Sequence, residues 1–389
     1  MSAIYHFQTV KNIIHGPGSL EQLGDKLYLL DTPLKQVVLV TQQAMHRLGV
    51  TAKIKEQLAR RGIAVQTIDN VEIEPTLENI ERVFHEQVAP FAPDALIAIG
   101  GGSVLDAAKL FAVMLTNDTP LRELLGIDKV GNPGKPMVLV PTTSGTGSEV
   151  TPNAIVTLPD EELKIGVVSR HLLPNLVILD PLLTLSLPKA ITAATGMDAF
   201  THSLESFIST KANPISDTFA LESMRLIAGS IVEAYQEPDS VRARGDMLLG
   251  SMYGGLALTG AGTAAVHALA YPLGGKFHVT HGVANAMLLP HVMAFNLDSC
   301  AARLKRAACV CGVALESDSD EAAAGKLIEQ ISQWTATLNI PQNLREFGVA
   351  EEHLADMAVA ASKVTRLMAN NPKALSLDDI QQLYRCLLP

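Results

Sequence analysis

Three titratable side chains lie at helical spacing in the segment AATGMDAFTHSLESF, residues 193–207. If this segment is a helix, Asp198, His202 and Glu205 stand at positions i, i+4 and i+7 and share one face. A solvated polar face on an otherwise apolar helix is one interpretation. The other is half of a metal site, because residues at i and i+4 place their Cβ atoms about 6 Å apart, which one ion can bridge. A metal site would need further ligands from elsewhere in the chain.

Histidines supply those further candidates in the stretch AAVHALAYPLGGKFHVTHGVANAMLLPHV, which holds four of the 11 in the chain. His267 falls in a helical run, and His281 opens a second helix after a predicted loop, PLGGKF. Such a corner can turn both imidazoles toward one point. Together with Asp198 and His202 they would form a donor set that suits Fe(II), Zn(II), Mn(II) or Ni(II). Glu205 is either a partner that orients a ligand or a plain surface glutamate.

Two glycine-rich loops follow apolar segments in the first half of the chain. In IAIGGGSVLDAAKLFA, glycines 100–102 and Ser103 stand between a predicted buried strand and a helix. Glycine lets backbone N–H groups approach a phosphate, and a helix N-terminus adds donors and positive dipole. Leu105 takes the place of the third glycine of G-x-G-x-x-G, so a glycine turn that binds nothing stays an alternative. A second loop, PTTSGTGSE at 141–149, favours a dinucleotide over a single phosphate.

Short apolar segments alternate with helical ones from residue 36 to about 180. Strands are predicted at 36–41, 64–69 and 175–181 and before each glycine loop, with helices at 44–62, at 76–90 and from Ser103. This alternation is typical of a parallel sheet covered on both faces. After residue 183 only helical periodicity remains. We therefore predict a doubly wound, Rossmann-like α/β domain over 1–183, an all-α metal-binding domain over 184–389, and a cleft between them.

Composition argues against several classes of function. The 389-residue chain has 30 basic and 40 acidic residues, a net charge of −10 and a pI near 5.6, which does not favour nucleic acid as a partner. No apolar run reaches the roughly 18 residues that cross a bilayer, and no secretory signal is visible at the start. Four cysteines without C-x-x-C spacing predict neither a disulfide framework nor a thiolate zinc site. We expect a cytoplasmic protein.

Four motifs occur in order along the chain: GGGSVLDAAK, PTTSGTGSEVT, GMDAFTHSLE and HALAYPLGGKFHVTHGVANAMLLP. Together they resemble the iron-containing (group III) alcohol dehydrogenases, and the resemblance covers nearly the whole chain. It implies a dehydroquinate synthase-like architecture and a metal-dependent, NAD(P)-linked alcohol dehydrogenase or aldehyde reductase. In such an enzyme hydride passes between nicotinamide and a small primary alcohol, diol or aldehyde while the metal polarises the substrate oxygen. NAD and Fe2+ are the expected cofactors, with NADP, Zn2+ and Mn2+ open, in a homodimer or larger homo-oligomer.

The resemblance also assigns site residues to positions of this chain. The metal ligands, which form the catalytic centre, are Asp198, His202, His267 and His281. The cofactor-binding residues are Gln42, Gly100, Gly101, Ser103, Asp106, Thr142, Thr143, Ser144 and Lys164. Asn153 and Tyr271 are the substrate-side residues.

Two positions depart from the family pattern. Members that prefer NAD usually carry Asp after the first strand, whereas this chain has the neutral Gln42, which would not repel a 2′-phosphate. Tyr271 stands where many relatives have a histidine near the substrate, so the proton relay stays open. Glycerol-type and maleylacetate-type reductases are close alternatives. A sugar-phosphate cyclase-like lyase and a metallohydrolase without a nucleotide are more distant ones.

Overall fold

A computed structural model describes residues 4–161 and 163–389, which divide into two compact units. The α/β unit comprises residues 8–143 and 148–184. The helical unit comprises residues 185–389 together with two short segments, 4–7 and 144–147. The domain limits predicted from sequence, 1–183 and 184–389, do not anticipate that these two segments group with the helices.

Nine strands form two sheets in the α/β unit. They are β1 (Asn12–His15), β2 (Gln36–Val40), β3 (Ala64–Ile68), β4 (Ala95–Gly100), β5 (Gly126–Ile127), β6 (Met137–Pro141), β7 (Asn153–Leu158), β8 (Leu163–Val168) and β9 (Leu176–Leu179). The larger sheet is entirely parallel, in the order β1-β9-β6-β4-β2-β3. The smaller sheet has the order β5-β8-β7, and β7 and β8 form an antiparallel hairpin.

Both faces of the parallel sheet are covered, as the apolar strands predict. Helices of this unit are α1 (Leu23–Lys26), α2 (Gln43–Arg47), α3 (Val50–Ala59), α4 (Leu77–Val83), α5 (Ala89–Phe91), α6 (Gly102–Met114) and α7 (Leu121–Leu124). In β2, Val38 and Val40 belong to one buried cluster, while Val37 and Leu39 belong to another. Since successive strand residues point to opposite faces, the two clusters lie on the two sides of the sheet.

The helical unit contains nine α-helices among the described residues. They are α8 (Lys189–Ile208), α9 (Pro214–Gln236), α10 (Val241–Ala261), α11 (Ala265–Phe277), α12 (His281–Val310), α13 (Asp320–Thr337), α14 (Leu354–Ser362), α15 (Thr365–Met368) and α16 (Leu377–Arg385). From Thr192 onward α8 is buried except at Thr195. A helix buried on all sides lies inside its domain. The alternative of a solvated polar face at Asp198 and His202 is therefore wrong.

Several predicted elements are corrected by the structure. The helix expected over 44–62 is two helices, because Gly49 adopts the left-handed conformation with φ 71° between them. The expected loop PLGGKF is helical and belongs to α11, even though Pro272 lies inside it. The packed neighbours of this segment outweigh the low helix propensity of Pro and Gly. Instead α11 ends at His278, which has φ 55° and caps the helix. Strand β1 and the β7–β8 hairpin were not predicted.

No helix of the described chain is by itself both long enough and apolar enough to cross a bilayer. One pair, α10 with α11, meets those criteria of length and composition only when its two members are taken together, and they are bent by 107°.

Candidate metal centre and glycine loops

Four side chains of the helical unit converge on one point. Asp198, His202, His267 and His281 each offer a ligand atom, and these atoms lie within 4.8 Å of one another. Asp198 Oδ1 is 3.8 Å from Nε2 of His202, 3.8 Å from Nε2 of His267 and 3.7 Å from Nε2 of His281. Two of the ligands come from consecutive turns of α8, one from α11 and one from the first residue of α12. The chain thus brings together all four residues that the resemblance assigned.

The spacing and chemistry of these atoms fit a divalent cation. Donors about 2.0–2.2 Å from one ion stand about 3.3–3.6 Å apart in a tetrahedron. The separations between Asp198 Oδ1 and the three imidazole nitrogens are longer by only a few tenths of an ångström. Asp198, His202 and His267 are buried, whereas the His281 side chain is 28% exposed. The set can therefore enclose an ion and still be reached from the side of His281.

The electrostatics of the site favour the protonation states that bind metal. Burial alone would raise the pKa of Asp198, but the nearby His202, His281 and His267 together with the Asn285 amide hold it below its ordinary value. Burial lowers the pKa of His202 against the attraction of Asp198. An ionised carboxylate beside neutral imidazoles is what a cation requires, because a protonated ligand must lose its proton before it binds.

Glu205 contacts His267 at Nδ1, the ring nitrogen that does not face the other ligand atoms. It is fully buried, and its Oε2 accepts a hydrogen bond of 2.6 Å from His267 Nδ1. The same carboxylate accepts backbone N–H bonds from Ala264 at 3.0 Å and from Val266 at 2.6 Å. With the proton on Nδ1, the Nε2 lone pair of His267 faces the ligand point. The contact is that of a residue which orients a ligand, and the alternative of a plain surface glutamate is wrong.

His202 is oriented in a similar way from the second glycine loop. Its Nδ1 lies 3.3 Å from the backbone oxygen of Gly145, a carbonyl that accepts the ring proton. Gly145 belongs to residues 144–147, the segment that groups with the helical unit. A Cβ on Gly145 would stand 2.7 Å from Thr195 Cβ on α8, so only glycine allows this approach. The loop therefore contacts one of the four converging side chains, a contact that sequence analysis did not predict.

Asn285 is a site residue that sequence reasoning missed. Its Nδ2 donates to Asp198 Oδ1 at 2.7 Å and lies 3.2 Å from Nε2 of both His267 and His281. It is fully buried on α12. The signal that could have found it is its spacing, because Asn285 follows His281 by four residues, as His202 follows Asp198.

Tyr271 lies beside the ligands, one turn after His267 on α11. Its ring centroid is 6.2 Å from that of His281. Burial raises the pKa of Tyr271, so its hydroxyl keeps the proton at neutral pH. The structure therefore places this predicted substrate residue next to the metal ligands, as a group able to donate a hydrogen bond.

Two adjacent glycines of the first loop have different reasons to be glycine. A Cβ on Gly100 would lie 2.7 Å from Val104 Cβ, so Gly100 is required by packing. A Cβ on Gly101 would meet Thr143 at an ordinary 3.5 Å, and Gly101 has φ −77°, which any residue adopts. The fold itself does not need glycine at 101. This favours close approach of a ligand to Gly101, directly before α6.

The other predicted loop residues are divided between the two units. Thr142 is buried at the end of β6 and donates its backbone N–H to Gly100 at 2.9 Å. Ser103 Oγ accepts from the backbone N–H of Glu74 at 3.0 Å. Lys164 on β8 pairs with Glu74 as well, at 2.8 Å between Nζ and Oε2. Ser103 and Lys164 therefore both contact Glu74, an acidic residue that sequence analysis did not name. Ser144 is buried and groups with the helical unit.

Asp106 and Lys109 tie α6 to the chain that follows the second loop. Asp106 accepts hydrogen bonds from Ser148 Oγ and, at 3.0 Å, from the backbone N–H of Ile155. Both of its oxygens therefore accept hydrogen bonds inside the α/β unit, and the role of Asp106 at the cofactor stays a prediction. Lys109, fully buried one turn later, donates to the backbone oxygen of Asn153 at 2.7 Å. This bond fixes the start of β7, where the predicted substrate residue Asn153 lies.

A carboxylate missed by sequence analysis lies near Gln42. Gln42 is the residue before α2, two positions after the end of β2. Two side chains of α2, Gln43 and His46, contact Asp69 Oδ2 at 2.8 and 3.1 Å. Asp69 follows β3, the edge strand that pairs with β2. The end of β2 therefore lies next to an acidic group, although the acid comes from the neighbouring strand.

Comparison with known proteins decides the family. A model of the iron-containing alcohol dehydrogenases matches residues 11–181, and the C-terminal model of the Fe-containing alcohol dehydrogenase family matches residues 192–388. The chain belongs to the iron-containing alcohol dehydrogenase family. The expected architecture, a parallel α/β unit followed by helices in the dehydroquinate synthase-like fold, is confirmed. As a member of this family it is a metal-dependent alcohol dehydrogenase or aldehyde reductase with a nicotinamide cofactor.

Individual members of the iron-containing alcohol dehydrogenase family are similar over almost their full length. Long-chain-alcohol dehydrogenase 1 of Geobacillus thermodenitrificans is 38% identical over 373 residues, 95% of this chain and 93% of that protein. The 1,3-propanediol dehydrogenase of Klebsiella pneumoniae is 36% identical over 375 residues, 95% of each. The solved alcohol dehydrogenase from Oenococcus oeni superposes with a TM-score of 0.93 at 32% identity, covering 99% of this chain and 100% of that one.

Proposed function

We propose that Asp198, His202, His267 and His281 bind one divalent cation, with Fe2+ as our first choice and Zn2+ or Mn2+ as alternatives. The observation that carries this proposal is the convergence of their four ligand atoms within 4.8 Å. This donor set accepts each of these ions, and the supply of metal in the cell selects among them.

The catalysed reaction is interconversion of a small primary alcohol or diol with its aldehyde. When bound, the cation supplies a Lewis acid at the substrate oxygen and the nicotinamide exchanges the hydride. The chain supplies position and environment. Asp198 is the only anionic member of the four, so the loaded centre keeps positive charge for an oxygen that becomes negative. Glu205 holds His267 in the required tautomer, and the buried surroundings strengthen these interactions.

Support for an uncharged substrate comes from the side chains at the ligands. Tyr271, with its protonated hydroxyl, adjoins His281. Relatives with long-chain alcohol and 1,3-propanediol in their names are 38% and 36% identical to this chain. These names favour primary alcohols and short diols over a phosphorylated sugar.

NAD is our choice of dinucleotide, with NADP as the alternative. Gln42 itself cannot repel a 2′-phosphate, but Asp69 stands at the end of the neighbouring strand, next to Gln43 and His46. A carboxylate near this strand end can accept from the ribose hydroxyls and disfavours a further phosphate. The glycine loop at Gly101 and Ser103 would receive the pyrophosphate.

We also propose that the protein is cytoplasmic and forms a homodimer or a larger assembly. Support for assembly comes from β1, which is the edge strand of the larger sheet. Ile13 on β1 is 40% exposed, and exposed apolar edge strands tend to pair with another chain.

His267→Ala tests the proposed centre, with His291→Ala as the matched control. His291 also lies on the helices of this region but is not one of the four converging residues. We expect His267→Ala to lose bound metal and aldehyde-dependent oxidation of NADH, and His291→Ala to keep both. Metal analysis and a spectrophotometric assay measure them. Full metal content with undiminished turnover in His267→Ala would overturn the assignment.

A further inference from the structure

The carboxamide of Asn285 faces three of the four ligand atoms. Its Nδ2 is 2.7 Å from Asp198 Oδ1 and 3.2 Å from Nε2 of both His267 and His281. Among the described residues it makes no hydrogen bond to His202. The four ligand atoms define a tetrahedron, and these three atoms form one of its faces. The Asn285 amide covers that face and leaves the three faces that include His202 uncovered by this side chain.

The hydrogen-bonding character of the ligand atoms determines which end of the Asn285 amide faces them. Asp198 presents a carboxylate oxygen 2.7 Å from the amide nitrogen, and His267 presents the lone pair of its Nε2 because its Nδ1 donates to Glu205. A surface made of acceptors requires the N–H end, so Nδ2 and not Oδ1 faces it. Asn285 Oδ1 in turn is buried and has no hydrogen-bond partner in the part of the chain that the structure describes. A buried carbonyl left unpaired is unusual, which indicates that the contacts of Nδ2 hold the side chain in place.

We infer that Asn285 is a positioning residue of the metal centre. It donates to the ligand oxygen of Asp198 and closes one face of the ligand set, so that substrate oxygen approaches through a face that includes His202. The inference rests on the proposed metal site. Hydrogen bonds to a ligating carboxylate orient it, and their loss typically weakens metal binding about 10–100-fold.

The test compares Co2+ binding by the full-length protein and its variants, using competition with a chelator for affinity and visible absorption for coordination. Asn285→Leu keeps the approximate volume and removes the donor, and Asn285→Ala opens the covered face. Asn296→Leu is the matched control, because Asn296 is a fully buried asparagine of the same helix that bonds to Asn371. His267→Ala serves as the reference for loss of the site itself.

We expect both Asn285 variants to bind Co2+ about 10–100-fold more weakly than wild type. The absorption band of Asn285→Ala also shifts, because solvent can reach the opened face. Asn296→Leu loses thermal stability but keeps the affinity and the band. Wild-type affinity and spectrum in both Asn285 variants, or an equal loss in Asn296→Leu, would overturn the inference. If His267→Ala also binds like wild type, the proposed metal site fails with it, so the two failures are distinguishable.

Discussion

At the scale of single residues, chemistry-bearing types at regular spacing were predictable, whereas of their partners only Glu205 was named, as one of two alternatives. Asp198, His202, His267 and His281 stood out because titratable residues are rare in apolar helices. Asn285 carries no charge, and Asp69 and Glu74 lie outside the motifs, so neither type nor pattern marked them. Their importance depends on which side chains packing brings together, and that information is tertiary.

The buried carboxylate behind His267 gives one prediction at this scale. In Glu205→Gln an amide replaces the acceptor that takes N–H bonds from Ala264, Val266 and the His267 ring. One of these donors then faces another donor, and the tautomer of His267 is less firmly held. We expect metal affinity to fall about 10–100-fold, measured by chelator competition. Glu222→Gln, at an exposed pair with Arg225, is the control. Unchanged affinity in Glu205→Gln would contradict the orienting role.

Glu149 gives a prediction about pH. Burial raises the pKa of Glu149 to about 7, against the attraction of the buried Lys109. The folded protein then holds a proton that the unfolded chain releases near pH 4.5, so this group's contribution to stability is present at low pH and is lost as pH rises toward 7. Glu149→Gln lacks this loss. The difference in free energy of unfolding between Glu149→Gln and wild type should therefore shift in favour of the variant by about 3 kcal/mol as the pH rises from 5 to 8. Parallel urea-unfolding profiles across that range would show that Glu149 does not titrate this way.

At the scale of elements, strands and helices with strong periodicity were predicted well, whereas the positions at which helices are interrupted or end were not. The apolar strands β2, β3, β4, β6 and β9 and the buried α8 follow from their patterns. Gly49 interrupts a long helical pattern through its left-handed conformation, while PLGGKF stays helical because α11 is packed on its apolar residues. The β7–β8 hairpin was missed, although Ala154, Val156 and Leu158 alternate with less buried neighbours. Local propensity alone does not decide such cases.

The glycine loop before α6 gives a prediction at this scale. Gly101→Ala adds a Cβ that the protein accommodates at 3.5 Å from Thr143, whereas Gly100→Ala places one 2.7 Å from Val104. We expect Gly101→Ala to keep its melting temperature but to bind NADH more weakly, measured by fluorescence titration. Gly100→Ala should instead lose about 1–3 kcal/mol of stability through overpacking. Wild-type NADH affinity in Gly101→Ala would count against a phosphate at this turn.

At the scale of the whole molecule, four motifs in order were enough to indicate the family, which the comparisons show. The order of α/β and helical halves followed from the change in periodicity after residue 183. The grouping of residues 144–147 with the helical unit could not be predicted from periodicity, because this segment has no helical pattern of its own. Its Gly145 carbonyl contacts His202, one of the four proposed ligands, so this short segment connects the second glycine loop to the proposed metal centre.

We propose that four side chains spread over 84 positions, from Asp198 to His281, bind a single cation. The most direct measurement is anomalous scattering at the iron absorption edge from crystals of the protein loaded anaerobically with Fe2+. We expect one strong peak in contact with Asp198 Oδ1 and with Nε2 of His202, His267 and His281. A peak elsewhere in the molecule, or an ion that does not contact Asp198 and His267, would contradict it.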